Sequence, residues 1–513
     1  MWGIRSDSWT TFEIEPFRMK VFPWILGIFS CVLAQKSPYY KDDRGTMVHL
    51  FEWKFKDIAR ECEEFLGPMG FGGVQVSPIH ENLIIPGRPW YERYQPISMK
   101  IHSRSGDIDE FKEMVRRCNA VDVRIFVDIV VNHMTGDANP ARGTDGSTAE
   151  TSVKAYPAVP FTSEDFHRTC AISNYQNATE VRDCELSGLH DLDQSKEHVR
   201  AAIVEFMDRI TDMGVAGFRI DAAKHMWPQD LQIIYSRLKN LSVTARFPRN
   251  SRPFIYQEVI DLGNEGVKKA EYTDFGRVIE FNFGIVLGNM FRGLEPLKDL
   301  KNWGNGWGLL PSQDALVMID NHDNQRGHGA GGATILTYKV PKIYKMATAF
   351  ELAHPYGTTR VMSSYSFTDP SAGPPAHPNG TIISPEIIDG VCTNGWVCEH
   401  RWHQIYQMVI FRNVAKRSPV TNWWDNGNNQ IAFSRGRLGF IAINGETSDL
   451  RANLTTGLPA GKYCDVISGS VEGNKCTGKL VEVLDDGTAL IDIPADAEDG
   501  VLAIHIGRTS LLQ

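Results

Sequence analysis

The sequence predicts an α/β fold: a (β/α)8 TIM barrel, a small domain inserted after its third strand, and an all-β sandwich at its C-terminal end. Three observations predict it. Eight apolar, β-branched runs between residues 48 and 364 alternate with helical stretches. The third run is followed by an excursion rich in Gly, Thr, Ser, Asn and Pro. From about residue 419 the helices stop, and short strands alternate with turns.

Residues 1–34 precede the first domain. Met19-Lys20 is followed by the apolar stretch Val21–Leu33 and then Ala34. A charged start, a short apolar core and small residues before a cut make a secretory signal peptide. Residues 1–18 carry mixed charges, so translation is expected to begin at Met19 and the mature chain at Gln35. The stretch is shorter than the roughly 20 residues that span a bilayer, and no other apolar run is long enough. The expected location is secreted and extracellular.

The barrel occupies 35–133 and 194–418. Its strands are expected at Val48–Trp53, Gly73–Pro78, Arg124–Asn132, Gly217–Ala222, Phe254–Val259, Val278–Phe283, Ala315–Asn321 and Thr359–Ser364. Continuous apolar runs of this kind suit parallel strands covered by helices on both sides. An open doubly wound sheet is the alternative, but no Gly-rich phosphate loop follows the first run. Val199, Ile203, Phe206, Ile210 and Met213 fall at helical spacing and read as core packing. The excursion, 134–193, is long enough to be a lid or small domain at the barrel's C-terminal face. The sandwich takes 419–513, with turns at Gly427, Gly436, Gly445, Gly457 and Asp486-Gly487.

A net charge of -9 argues against nucleic acid or an anionic membrane as partner. Of nine cysteines, Cys31 leaves with the leader, and the other eight suit an oxidising compartment. Their clustering suggests the pairs Cys62–Cys118, Cys170–Cys184, Cys392–Cys398 and Cys464–Cys476. No CxxC pair exists to hold zinc. Asn177, Asn240, Asn379 and Asn453 stand in N-x-S/T sequons.

Catalytic groups of such barrels gather at the C-terminal ends of strands. Three acids meet that condition. Asp221 ends the fourth run, Glu258 the fifth, and Asp323 follows the seventh. Glycosidic cleavage needs one carboxylate as nucleophile and one carboxylic acid as proton donor. A third acid can bind sugar hydroxyls and help keep the donor protonated. Arg219 shares the face of Asp221 by the period of two, and is expected to keep Asp221 ionised while Glu258 stays protonated.

Asp128-Ile-Val-Val-Asn-His133, Gly217–His225, Gln257-Glu258 and Asp320-Asn-His-Asp323 resemble the four signature regions of the α-amylase family, in the right order. Val48-His-Leu-Phe-Glu-Trp53, His225-Met-Trp-Pro228, Gln325–Gly332, His354–Gly357, Arg360–Tyr365 and Asn422–Gly427 further resemble the animal-type, chloride-dependent members, from about Gln35 to near the C-terminus. The resemblance implies a secreted, monomeric, endo-acting enzyme that hydrolyses α-1,4-glucosidic bonds of starch, glycogen and maltooligosaccharides with retained configuration. It makes Asp221 the nucleophile, Glu258 the acid/base and Asp323 the clamp on the distorted sugar. His133 and His322 would hydrogen-bond the sugar at the cleavage point, and Arg219, Lys224, His225 and His328 would join them around the substrate.

The resemblance also implies a Ca2+ site, from the side chains of Asn132 and Asp191 and the carbonyls of Arg182 and His225. Oxygen-only ligation suits calcium. It implies a Cl- site at Arg219, Asn321 and Arg360, of which Arg360 marks chloride dependence. Trp90, Tyr91 and Tyr94 would offer flat faces to glucose rings, with Tyr175 at the opposite end of the cleft. Vertebrate members carry a second Trp where this chain has Tyr91, and one vertebrate disulfide has no counterpart here. The Gly327–Gly332 stretch resembles a mobile loop over the cleft. Two other readings compete: a relative that transfers or trims glucosyl units, and an amylase-like carbohydrate-binding protein. The glycine loop and the matching C-terminal domain oppose the first, and retention of all three acids opposes the second.

Overall fold

The computed structural model describes residues 35–41 and 43–512; the expected leader, with Cys31, lies outside the described residues. Strands β1 (Thr46–Leu50), β2 (Gly73–Val76), β3 (Arg124–Ile129), β4 (Gly217–Ile220), β5 (Phe254–Gln257), β6 (Arg277–Ile279), β7 (Ala315–Val317) and β8 (Thr358–Ser363) form the barrel. They pair in chain order and close into a ring where β8 meets β1, with Thr46 opposite Thr359 and Leu50 opposite Ser363. Each of the eight expected runs overlaps one strand, although β1, β6 and β8 begin one or two residues before their runs. Almost every strand residue is buried, because one face looks into the barrel and the other lies under helices.

Alternation along each strand sorts the side chains. Val48, Leu50, Val74, Val76, Ile125, Val127, Phe218 and Ile220 point outward into the main core. Met47, Phe126, Phe254 and Leu316 point inward and fill the N-terminal half of the barrel. Two residues further along, the inward rows become polar: His49, Gln75, Asp128, Arg219, Tyr256 and Arg360, all buried. Arg360 Nη1 and Tyr256 OH both donate to Gln75 Oε1, at 2.7 and 3.0 Å. An apolar plug thus supports a charged platform. Gly217 makes the β4–β5 approach feasible, since a Cβ there would lie 2.0 Å from the carbonyl oxygen of Phe254.

Helix α1 (Ile108–Ala120) starts at a capping box of Asp107 and Glu110 and buries Phe111, Met114, Val115 and Cys118. The Cys62–Cys118 disulfide ties it to the segment before β2. The other three bonds, Cys170–Cys184, Cys392–Cys398 and Cys464–Cys476, also join the cysteines that cluster in sequence. Between β3 and β4 the chain leaves the barrel and returns to it along itself. Leu192 N donates to Asn132 O at 2.9 Å and Met134 N to His190 O at 3.0 Å, so the two ends form an antiparallel stem. The excursion includes a short helix, α2 (Ala178–Asp183). Helix α3 (Glu197–Asp212) follows and buries Val199, Ile203, Phe206 and Ile210, while Met213 caps it and packs half-buried on the same core.

The C-terminal domain is two packed antiparallel sheets. One orders β9 (Val420–Asp425), β10 (Gln430–Arg435), β11 (Gly439–Asn444) and β16 (Val501–His505). The other orders β12 (Leu450–Thr455), β15 (Thr488–Ile493), β14 (Leu480–Val483) and β13 (Gly461–Cys464). Ala432, Phe440, Ala442, Leu502 and Ile504 of the first sheet meet Leu450, Leu454, Val481, Ile491 and Ile493 of the second. The opposite face of the first sheet, Ile431, Phe433, Ile441, Ile443 and Ala503, joins the barrel's core. Among the described residues, no helix is long and apolar enough to cross a membrane.

Candidate active site

The polar platform opens at the C-terminal ends of β3, β4, β5 and β7. Asp221 follows β4, where its N–H donates to Ile129 O at 3.0 Å; Glu258 follows β5, with its N–H on Ile220 O at 3.0 Å. The sheet ladder therefore fixes both backbones at the rim. Arg219 Nη1 donates to Asp221 Oδ1 at 2.8 Å and to Asp128 Oδ1 at 2.6 Å. Its Nη2 lies 2.8 Å from Glu258 Oε1, out of line for a hydrogen bond, so this contact is an ion pair with an unspent donor. Glu258 Oε2 accepts the N–H of Ala222 at 2.8 Å.

Three buried carboxylates therefore share one guanidinium. Burial pushes the Asp221 carboxyl well above the usual range; Arg219 opposes the shift, and the charges of Glu258 and Asp128 add to it. This differs from the expectation that Arg219 simply keeps Asp221 ionised. The guanidinium is divided, and one positive charge cannot hold three buried carboxylates ionised. Asp323, in the loop after β7, is pushed up to about 7 by burial and by Glu258. The raised carboxyls of Asp128, Asp221 and Asp323 titrate as an interacting set rather than one by one.

Aromatic rings wall the cleft beside these acids. His322 stacks on Tyr94 with centroids 5.2 Å apart and meets Trp90 edge-on at 5.5 Å. Its Nε2 is 3.4 Å from Asp323 Oδ2. Burial and nearby Arg219 hold the imidazole well below its ordinary pKa, hence neutral. His133 Nε2 bonds Tyr94 O at 3.0 Å, and Tyr94 OH donates to Asp128 at 3.0 Å. Trp90 is 5% exposed, with its indole N–H on Pro370 O at 2.9 Å, whereas Tyr91 is 38% exposed. The more open ring is thus the tyrosine. His328, in the glycine loop, packs 5.8 Å from Trp90.

Across the cleft, Lys224 Nζ bonds Glu265 Oε2 at 2.7 Å and lies 4.9 Å over the exposed ring of Tyr175. His225 Nδ1 meets Val181 O at 2.9 Å, which joins the rim of β4 to helix α2. The side chain of Arg182 in that helix pairs with Glu271 at 2.8 Å and lies over Trp227, leaving only its carbonyl for ligation.

Two sets of orphaned buried atoms remain. Asn132 Oδ1 and Asp191 Oδ1, at the excursion's stem, have no hydrogen-bond donor. Both are hard oxygens, which fits a calcium ion. Among the described residues no cluster of three His, Cys, Asp or Glu forms; the expected set has a single carboxylate and falls outside that pattern. In the platform, Arg219 Nη2 and Asn321 Nδ2 are donors without acceptors, and Arg360 Nη2 faces the sulfur of Met318 at 2.6 Å. Unspent donors on Arg219 and the Asn321 amide, beside the Arg360 guanidinium, fit an anion.

The chain belongs to the α-amylase family. The family description "Alpha amylase, catalytic domain" matches residues 63–358, and "Alpha amylase, C-terminal all-beta domain" matches 421–507. An alpha-amylase-related protein of Drosophila sechellia is 57% identical over 493 residues, covering 95% of this chain and 99% of that relative. A solved structure of a mutant alpha-amylase I from Eisenia fetida with maltohexaose is 47% identical, with a TM-score of 0.89 over 92% of this chain and 99% of that one. An Anoxybacillus alpha-amylase at 17% identity and TM-score 0.61 shares the fold, covering 90% of this chain and 98% of that one.

Asp128 is the site residue that sequence reasoning passed over, although it opens the first signature region. A signal existed. Asp128 sits beside Arg219 in the β3–β4 register, so alternation alone places both inside the barrel. His167 was also missed; its Nδ1 lies 2.6 Å from Asp191 Oδ2, and no local pattern around it announces that contact.

Proposed function

We propose that the chain is a secreted, endo-acting α-amylase that hydrolyses α-1,4-glucosidic bonds of starch, glycogen and maltooligosaccharides with retention. One observation carries this reading: Asp221 and Glu258, on adjacent strands, are both held at 2.8 Å by the same guanidinium. Two carboxyls gathered at one guanidinium supply the nucleophile and the proton donor that glycosidic cleavage needs.

The family also contains proteins named only as amylase-related, so the chemistry is argued from this chain's own residues. Glu258 protonates the glycosidic oxygen while Asp221 attacks the anomeric carbon from the opposite face. The C–O bond breaks, and a glycosyl ester forms on Asp221. Glu258, now a carboxylate, takes a proton from water as the water oxygen bonds the anomeric carbon; the ester bond breaks, its electron pair returns to Asp221, and the sugar leaves with its original configuration. A shared proton in the cluster supplies the required pair, one carboxylate and one acid. Asp323 and the neutral His322 hold hydroxyls of the distorted sugar. Tyr91 and Tyr175 present open rings toward the two ends of the chain.

Asn132, Asp191 and the carbonyls of Arg182 and His225 would hold calcium, which supplies a cross-link between the excursion and the barrel rim. Arg219, Asn321 and Arg360 would hold chloride, whose charge raises the pKa of nearby acids. The test is turnover of soluble starch by D221N and E258Q. Both are expected to lose several orders of magnitude in kcat with starch binding retained; near-normal turnover by either overturns the roles. Activity that rises as chloride is added supports the anion site, and full activity without chloride removes it.

A further inference from the structure

The outer face of the second C-terminal sheet is mostly polar, as a one-sided antiparallel sheet is toward water, but it carries three exposed leucines. On β14 and β15, Val481, Val483, Ala489 and Ile491 point into the sandwich. Their neighbours Leu480, Leu484 and Leu490 point outward and are 50, 53 and 48% exposed. In the register set by Val483 opposite Ala489, Glu482 faces Leu490, and Leu480 and Leu484 lie diagonal to it on either side. Exposed clusters of this kind are normally covered.

Directly opposite Leu490 in the ladder stands Asn453, on β12. Asn453-Leu-Thr455 is a sequon, and both Asn453 and Thr455 are exposed. In the other three sequons the asparagine Oδ1 accepts a hydrogen bond, a contact that does not involve Nδ2, the atom a glycan joins. Asn177 Oδ1 caps α2 through Glu180 N, Asn240 Oδ1 accepts from Arg252 at 3.4 Å, and Asn379 Oδ1 accepts from Thr381 N at 3.0 Å. Among the described residues, the Asn453 side-chain amide has no hydrogen-bond partner. It also sits on an edge strand, whose only ladder partner among the described residues is β15. Open edges invite pairing with other chains unless something bulky or charged blocks them.

From this arrangement we infer that Asn453 is an N-glycosylation site whose glycan covers the Leu480–Leu484–Leu490 patch and blocks the β12 edge. In the modification, Asn453 Nδ2 bonds the anomeric carbon of a lipid-pyrophosphate-linked oligosaccharide. The carbon–oxygen bond to the pyrophosphate breaks, its electron pair leaves with the lipid pyrophosphate, and the amide gives up one proton. The apolar face of the first N-acetylglucosamine then lies across Leu490. The inference depends on entry into the secretory pathway and is independent of catalysis.

The test is the full chain secreted from insect cells behind a heterologous signal, so that entry does not depend on residues 19–34. Peptide mapping after amidase release of glycans should find Asn453 converted to Asp in most copies. N453Q and T455A should each lose one glycan's mass and bind several-fold more of an apolar-surface dye; L490S added to N453Q should reverse the gain. An unmodified Asn453 in the secreted protein overturns the site. Modification without any dye gain in either variant overturns the covering role, as does a wild-type dimer burying the patch in sedimentation.

Discussion

Arg219 donates to Asp128 at 2.6 Å, the shorter of its two hydrogen bonds, and only its second is to Asp221. The guanidinium is therefore aimed by a buried carboxylate one strand away, which Tyr94 OH holds in turn at 3.0 Å. Asp128 positions Arg219, and Arg219 positions the two reacting carboxyls. D128N is expected to lower kcat by roughly 10²-fold, as misplacement of a reacting group does, with KM for starch changed little. Steady-state kinetics on the variant checks this, and a fall in affinity alone would contradict it.

The orphaned oxygens of Asn132 and Asp191 lead to an expectation about stability. A bound ion present at 100 times its Kd adds about 2.7 kcal/mol. Chelation should lower the Tm of the wild-type protein. The same treatment should leave N132A unmoved, and a Tm in that variant as sensitive as the wild type's would remove the site.

Glu399 gives a pH dependence. It is fully buried, accepts Ser364 N at 2.6 Å and leaves Oε1 unpartnered. Burial pushes its carboxyl from an ordinary 4.5 up to about 7. A raised folded pKa means that the folded state binds the proton more tightly. Its contribution is therefore complete below the unfolded pKa and is lost as pH rises toward 7, by about 3 kcal/mol at 1.36 kcal/mol per unit. E399Q, which cannot ionise, should gain in Tm over wild type between about pH 5 and about pH 8. Thermal melts at both pH values decide it; a constant difference contradicts the account.

Gly217 carries a steric expectation. The Cβ of G217A would sit 2.0 Å from Phe254 O in the closed β4–β5 pair, and backbone cannot yield as a side-chain tip can. The variant should lose about 4 kcal/mol or more, read from denaturant unfolding. A loss within experimental error would show that the two strands separate more easily than the ring allows.

The barrel was legible in the sequence for a physical reason. Strands buried on both faces give continuous apolar runs, and all eight runs overlap strands. Their ends were less legible. The run expected over Val278–Phe283 shares only Val278 and Ile279 with β6, and a helix begins at Phe281; Phe281 and Phe283 are buried as helical residues, and apolar character alone does not separate the two states. The run from Arg124 leaves the ladder after Ile129, because Asn132 and His133 turn toward the excursion's stem. Asp221 and Glu258 were legible because each lies just past the last ladder residue of its strand, and Asp323 because it closes a signature region in the loop after β7. The sharing of Arg219 was not, since it depends on Asp128 from a neighbouring strand. Nor was the contrast between buried Trp90 and open Tyr91, which is set by packing against Phe51, Tyr94 and His322.

The central claim is that Asp221 and Glu258 act as a nucleophile–acid pair with retention. Its most direct test is proton NMR of maltohexaose mixed with the purified wild-type chain, read before the products mutarotate. The account predicts that new reducing ends appear first as the α-anomer. First appearance of the β-anomer, or no cleavage with calcium and chloride both present, would contradict it.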